Sequence, residues 1–199
     1  MTHSSTPFDV CIRGAGIVGR SLALLLAAQQ LRVALVHKGG AYKADTGHSD
    51  VRAYSLNLAS KQLLSDLRCW PDSPACTPIL QMHIQGDQGG DLCFDAAEQG
   101  VAALNWMVDV PVLEEKLAQA VGFQTYIEEM SEPVSAPLTV ICEGRASQTR
   151  AELGVNFEVK HYAQHALACR IKTAAPHHQV AKQWFQNMLG PEILAFLPI

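Results

Sequence analysis

Three glycines, Gly14, Gly16 and Gly19, stand in the spacing G-x-G-x-x-G within the stretch DVCIRGAGIVGRSLALLLAA. Glycines so spaced can hold a phosphate. The first permits a tight turn, the second lets a pyrophosphate approach the backbone, and the third lets a helix pack closely on a strand. Ala15 lies inside the turn, and the helix that follows would aim its unpaired N–H groups at the anion. The chemistry on offer is dinucleotide binding. Such a cradle ordinarily closes its second strand on a carboxylate that accepts from a ribose hydroxyl. Here the strand closes on His37 and Lys38. From these residues alone two readings stay open: cationic side chains favouring a 2′-phosphate, hence NADP, or a His37 that donates to the ribose hydroxyls or faces solvent.

A site of this kind needs a strand, a turn, a helix and a second strand in that order, and the pattern supplies them. Phe8 to Ile12 is a short apolar run, Val18 to Gln30 is helical, and Leu31 to Val36 is rich in Val and Leu, as a buried parallel strand would be. The helix carries Leu22, Ala23, Leu24, Leu25, Leu26, Ala27 and Ala28, so it is expected to be covered on several sides. Gln30 stands where glycine would accept a left-handed C-cap more cheaply. Further on, Asn57 to Leu67 reads as helix, and Ile79 to Ile84 with Leu92 to Phe94 as a hairpin about GDQGGD. Leu104 to Val108 reads as strand, and Asp109 and Pro111 as the start of a helix running to Val121. Phe123 to Ile127 and Leu138 to Cys142 read as strands, and apolar residues on odd positions from Ala163 to Ile171 predict a half-buried strand. Val180 to Leu189 is helical or strand-like, and the run ILAFLPI closes the chain.

The 199 residues are 48% hydrophobic, with a formal charge of −4 and a pI near 6.0. That balance gives no general attraction to nucleic acid or anionic lipid. Cys11, Cys69, Cys76, Cys93, Cys142 and Cys169 form no C-x-x-C pair, and a reduced, cytosolic chain is the expectation. No basic region leads into an apolar stretch at the start, and the run Leu22 to Ala28 is too short to cross a bilayer. On a strand, His161 and His165 would lie about 13 Å apart, too far to share one ion, so no metal is expected. There is no G-x-S-x-G elbow and no cysteine with a plausible base, and no catalytic residue is assigned.

Two further stretches carry a resemblance. Asp50-Val51-Arg52-Ala53-Tyr54-Ser55-Leu56-Asn57 is similar to the R-x-x-x-L/I-N stretch of FAD-dependent aromatic hydroxylases of the para-hydroxybenzoate hydroxylase-like family. Cys142-Glu143-Gly144-Arg145-Ala146-Ser147-Gln148-Thr149-Arg150 is similar to that family's A-D-G-x-x-S-x-x-R motif, with Glu143 in place of Asp. The order Tyr162-Ala163-Gln164, Pro176-His177, Gln183-Trp184-Phe185 and Leu194-Ala195-Phe196-Leu197-Pro198 resembles its ubiquinone-biosynthesis branch in particular.

The resemblance implies an α/β fold: a Rossmann-like FAD-binding βαβ domain interleaved with a β-sheet substrate domain, truncated at the C-terminus. The implied divisions are 1–76 and 104–155 for FAD, with 77–103 (a hairpin) and 156–199 (an incomplete sheet) for substrate. It implies FAD as cofactor and NAD(P)H as reductant for hydroxylating a phenolic ring with O2. By that carry-over Arg52 lies against the dinucleotide, and Glu143 and Gly144 serve both cofactors. The expected partners are a small aromatic substrate, no nucleic acid, a peripheral contact with the inner membrane or a biosynthetic complex, and a C-terminal half that this chain lacks. The family's Gly-Asp motif lies beyond Ile199, so weak FAD binding and little hydroxylation are expected of these residues alone. The rival expectations are an NADP-dependent reductase and a non-catalytic nucleotide-binding remnant.

Overall fold

The computed structural model describes residues 7–37, 50–186 and 192–199. In chain order its elements begin with β1 (Val10–Arg13), α1 (Ile17–Ala28), β2 (Val33–Val36), β3 (Ala53–Leu56), α2 (Leu58–Asp66), β4 (Cys76–Ile79), β5 (Gln81–Gln85) and β6 (Asp91–Asp95). They continue with β7 (Asn105–Asp109), α3 (Val110–Gly122), β8 (Ile127–Met130), β9 (Leu138–Ile141), α4 (Gln148–Glu152), β10 (Val180–Gln186) and β11 (Glu192–Phe196). The chain divides into two compact units, each assembled from separated segments.

The first unit takes the described part of Met1–Ser49, with Asp66–Cys69 and Leu113–Leu167. Its parallel sheet runs β8-β2-β1-β9. Ile12, Val33, Ala34 and Leu35 are wholly buried, as the continuous apolar runs of a covered parallel sheet require. Helix α1 packs on β1, β2 and β8, burying Gly19, Arg20, Ala23, Leu24 and Ala27. The helix is covered on one side only, since Val18 is 70% exposed and Leu25 is exposed as well. Its C-terminus closes as a Schellman turn: Leu31 N–H donates to Leu26 O and Gln30 N–H to Ala27 O. Gln30 is held there at φ 63°. The gap between α3 and β9 is filled by a single strand, β8, and Phe123, expected in that strand, is instead 87% exposed.

The second unit takes Asp50–Ser65, Trp70–Val112 and Ala168–Ile199. Its antiparallel sheet β3-β7-β4 and its mixed sheet β11-β10-β5-β6 share a small core of Ile79, Met107 and Ala181. The hairpin about GDQGGD forms as β5 and β6, closed by Gly86 N–H donating to Gly90 O. The run 79–84, expected as one strand, is divided at Leu80 between the two sheets. Residues 155–179 contain neither helix nor strand, so the strand expected over 163–171 does not form, and Leu167 stands 95% exposed.

Candidate nucleotide-binding site

The glycine turn sits where two parallel strands end side by side. Strands β1 and β9 pair in register up to Arg13 and Ile141, and Cys142 N–H donates to Arg13 O at 2.7 Å. The segment Cys142-Glu143-Gly144 therefore leaves the sheet directly against Gly14. Gly14 has φ 112°, a region open to glycine, and a Cβ there would stand 2.4 Å from Cys142 O. Its N–H donates to Val36 O at 2.8 Å, which ties the turn to the end of β2 as well.

Gly19 is required for a different reason: a Cβ on it would stand 1.8 Å from Gly14 O, so α1 lies against the turn itself. Gly16 differs from both. A Cβ on it would meet nothing within 4 Å, and as the N-cap of α1 it provides no side-chain partner for the first-turn N–H groups. Unpaired amide donors beside open space, at a positive helix end, suit a pyrophosphate. The residues present fit the dinucleotide that the spacing suggests.

Glu143 is fully engaged within its own loop. Its carboxylate accepts from Ser147 Oγ (2.8 Å), Thr149 Oγ1 (2.8 Å) and Thr149 N–H (3.2 Å), and Arg13 Nε lies 3.4 Å away. The hydrogen bond from Thr149 Oγ1, followed by those from Ser147 and the Thr149 backbone, holds the carboxyl below the usual Glu range against the opposing effect of burial. Ser147 in turn caps α4 by accepting from Arg150 N–H. Gly144 has φ 71°. A cleft of about 270 Å³ opens beside this loop, lined by Ile141, Glu143, Gly144, Arg150 and Val155.

His37 follows directly on β2, with its N–H donating to Met130 O and its Nε2 3.8 Å from Glu129 Oε1. Lys38 lies outside the described residues. The first unit thus brings Gly14, Ala15, Gly16, Gly19, His37, Glu143 and Gly144 to the carboxyl ends of neighbouring parallel strands, the edge at which such sheets bind ligands.

Arg52 lies in the second unit, just ahead of β3. Its guanidinium grips Asp50 through Nε at 3.0 Å and Nη2 at 2.6 Å. That grip lowers the Asp50 carboxyl to about 2. Arg170 straps the same segment, donating to Asp109 Oδ2 (2.7 Å), Val51 O (3.4 Å) and Arg52 O (3.3 Å). Asp109, expected to cap α3, therefore binds Arg170 instead.

Sequence reasoning passed over Arg13, Thr149, Glu129 and Arg170. A charged residue closing an apolar strand just before the turn was a visible signal for Arg13. The others depend on pairings between distant segments.

No protein-family model matches the chain. Over 220 aligned residues it is 26% identical to the 3-demethoxyubiquinol 3-hydroxylase of Escherichia coli, covering 98% of this chain and 56% of that protein. A crystal structure of a PqsL variant from P. aeruginosa matches 96% of this chain and 57% of its own, at a TM-score of 0.69 and 17% identity. A variant of the flavin-dependent brominase Bmp2 matches 96% and 54%, at a TM-score of 0.65 and 13% identity. The fold is thus shared with flavin-dependent enzymes, and the chain spans about half the length of the curated relatives it matches.

Proposed function

We propose that this chain is the dinucleotide-holding part of an FAD-dependent monooxygenase that hydroxylates a phenolic, polyprenylated ring with O2 and NAD(P)H, as in ubiquinone biosynthesis. The observation that carries the reading is the contact of Gly14 with Cys142 and Glu143, which joins two separately recognised motifs at one sheet edge. When bound, FAD would supply the redox chemistry, accepting a hydride from the nicotinamide and activating oxygen for transfer to the ring.

The chain's own residues bind and orient. The turn at Gly14, Gly16 and Gly19 would hold the pyrophosphate. In the second unit, Arg52, the residue that the resemblance sets against the dinucleotide, has its guanidinium held by Asp50. Glu143 fixes the loop that borders the turn and neutralises Arg13, leaving the local field to the helix end.

A second reading has a specific observation in its favour. Residues 155–179 build no strand, so the sheet β11-β10-β5-β6 joins segments 77–103 and 156–199 without the strand expected over 163–171. On that reading the chain holds the nucleotide without hydroxylating a ring. Titrating the purified chain with FAD, followed by NAD(P)H oxidation with and without a prenylated phenol after fusing the chain to the C-terminal half of a ubiquinone hydroxylase relative, separates the two. FAD binding with substrate-coupled oxidation supports the hydroxylase, and FAD binding alone supports the second reading. Absence of FAD binding refutes both.

A further inference from the structure

We infer that Glu129, on the strand beside β2, supplies the carboxylate that reads the adenosine ribose, in place of the acidic residue missing at position 37. The inference rests on the FAD reading above and names the group that recognises one end of that ligand.

The geometry begins with the sheet. β8 pairs with β2 in parallel, Leu35 opposite Glu129 and Val36 opposite Met130, and His37 N–H donates to Met130 O at 3.1 Å. This register puts Glu129 on the same face as Leu35 and His37, because side chains two residues apart share a face. The Glu129 carboxylate reaches forward to within 3.8 Å of His37 Nε2, at the carboxyl edge. Its side chain is 40% exposed, against 22% for His37, so it is the more open of the two to a ligand. Val36 O, one residue back, holds the Gly14 N–H. The end of β2 therefore adjoins the phosphate turn on one side and Glu129 on the other.

The chemistry favours the carboxylate over the imidazole. A ribose presents two neighbouring hydroxyls, each a donor. An ionised carboxylate has two acceptor oxygens and takes both, whereas a neutral imidazole offers one acceptor. Hydrogen bonds to a charged acceptor are also the stronger kind. The same carboxylate repels a 2′-phosphate, so this edge is built for a ribose with free hydroxyls, as in FAD, and against NADP. His37 then serves as a positioning residue that fixes where Glu129 points.

The test uses the purified 199-residue chain with ADP, 2′-deoxy-ADP and FAD as probes, by calorimetry and flavin fluorescence. Glu129→Gln should weaken ADP and FAD about ten-fold, the loss of one charged hydrogen-bonding acceptor. It should weaken 2′-deoxy-ADP less, since that probe keeps only one of the two hydroxyls that the carboxylate accepts. Glu128→Gln, on the opposite face of β8, should change nothing and controls for net charge. His37→Glu added to Glu129→Gln should restore ADP affinity by moving the carboxylate one strand over. Wild-type affinity for ADP in Glu129→Gln, with the wild-type chain binding ADP, overturns the assignment and leaves the FAD reading standing. Failure of the wild-type chain to bind either ADP or FAD removes both.

Discussion

A Cβ on Gly14 would stand 2.4 Å from the carbonyl oxygen of Cys142, although the two residues come from different segments of the first unit. The glycine turn and the Cys142-Glu143-Gly144 loop are in that sense one structure, each shaped to the other. The three glycines of the turn should accordingly fail in different ways.

Gly14→Ala and Gly19→Ala each force a methyl into backbone, and should cost about 2–4 kcal/mol or block folding. Gly16→Ala meets only open space, so its stability in urea unfolding should stay within about 0.5 kcal/mol of the parent. Its FAD and ADP affinity should nonetheless fall, because the methyl occupies the space left for the pyrophosphate. Equal losses of stability at all three positions would contradict this division.

Gln30 occupies the left-handed position of the α1 Schellman turn at φ 63°. A side chain there costs roughly 1–2 kcal/mol, and glycine recovers that strain less its own greater unfolded-state entropy. Gln30→Gly should therefore raise stability by about 0.5–1 kcal/mol. Thermal unfolding of the single variant decides it, and a lower Tm would be the contrary result.

Glu143 gives the first unit a pH dependence whose sign follows from its depressed carboxyl. A carboxyl held lower in the folded state stabilises above its unfolded value, about 4.3 for Glu, and loses that contribution as pH falls through the folded value. The parent should exceed Glu143→Gln in Tm at neutral pH, and the gap should narrow as pH drops below about 4. Melting curves of both proteins between neutral pH and about pH 3 test this. A gap that does not change with pH would mean that the carboxylate charge is not what the loop uses.

Arg170 straps residues 51 and 52 to Asp109 with three donors from one guanidinium. Arg170→Met keeps much of the bulk and removes every donor, leaving Asp109 without its charged partner. The loss should be about 1–3 kcal/mol, seen in urea unfolding. Amide exchange at Val110, whose N–H donates to Arg52 O, should speed up with it. Arg170→Lys should recover little, since one ammonium cannot serve three acceptors in a fork.

The parts of the fold that were legible beforehand are those encoded by neighbours in sequence. The strand, turn, helix and strand from Val10 to Val36 follow from an apolar run, a glycine spacing and a second apolar run. The β5–β6 hairpin follows from glycines and aspartates between two short runs. β3 was hidden because Tyr54 and Ser55 are exposed, which removes the apolar signal on which strand recognition depends. The alternation over 163–171 was a true pattern that formed no strand, since a strand needs a partner's hydrogen bonds and the pattern does not supply one. At the site, the glycines were legible as types at a spacing. Glu129 was not, because it reaches His37 only through the register of β8 on β2.

Leu80 separates β4 from β5, and both of its backbone groups are committed: its N–H donates to Gln179 O, and its carbonyl accepts from Ala96 N–H. A single residue thus indexes two sheets at once. Removing it would shift one strand by a residue against the other, and with a period of two every side chain on the displaced strand would change faces. The antiparallel sheet and the mixed sheet can each drift in sequence, but they cannot drift out of phase. For anyone inserting or grafting sequence into the second unit, Leu80 behaves as a gear tooth between two wheels, and length must be conserved there more strictly than identity.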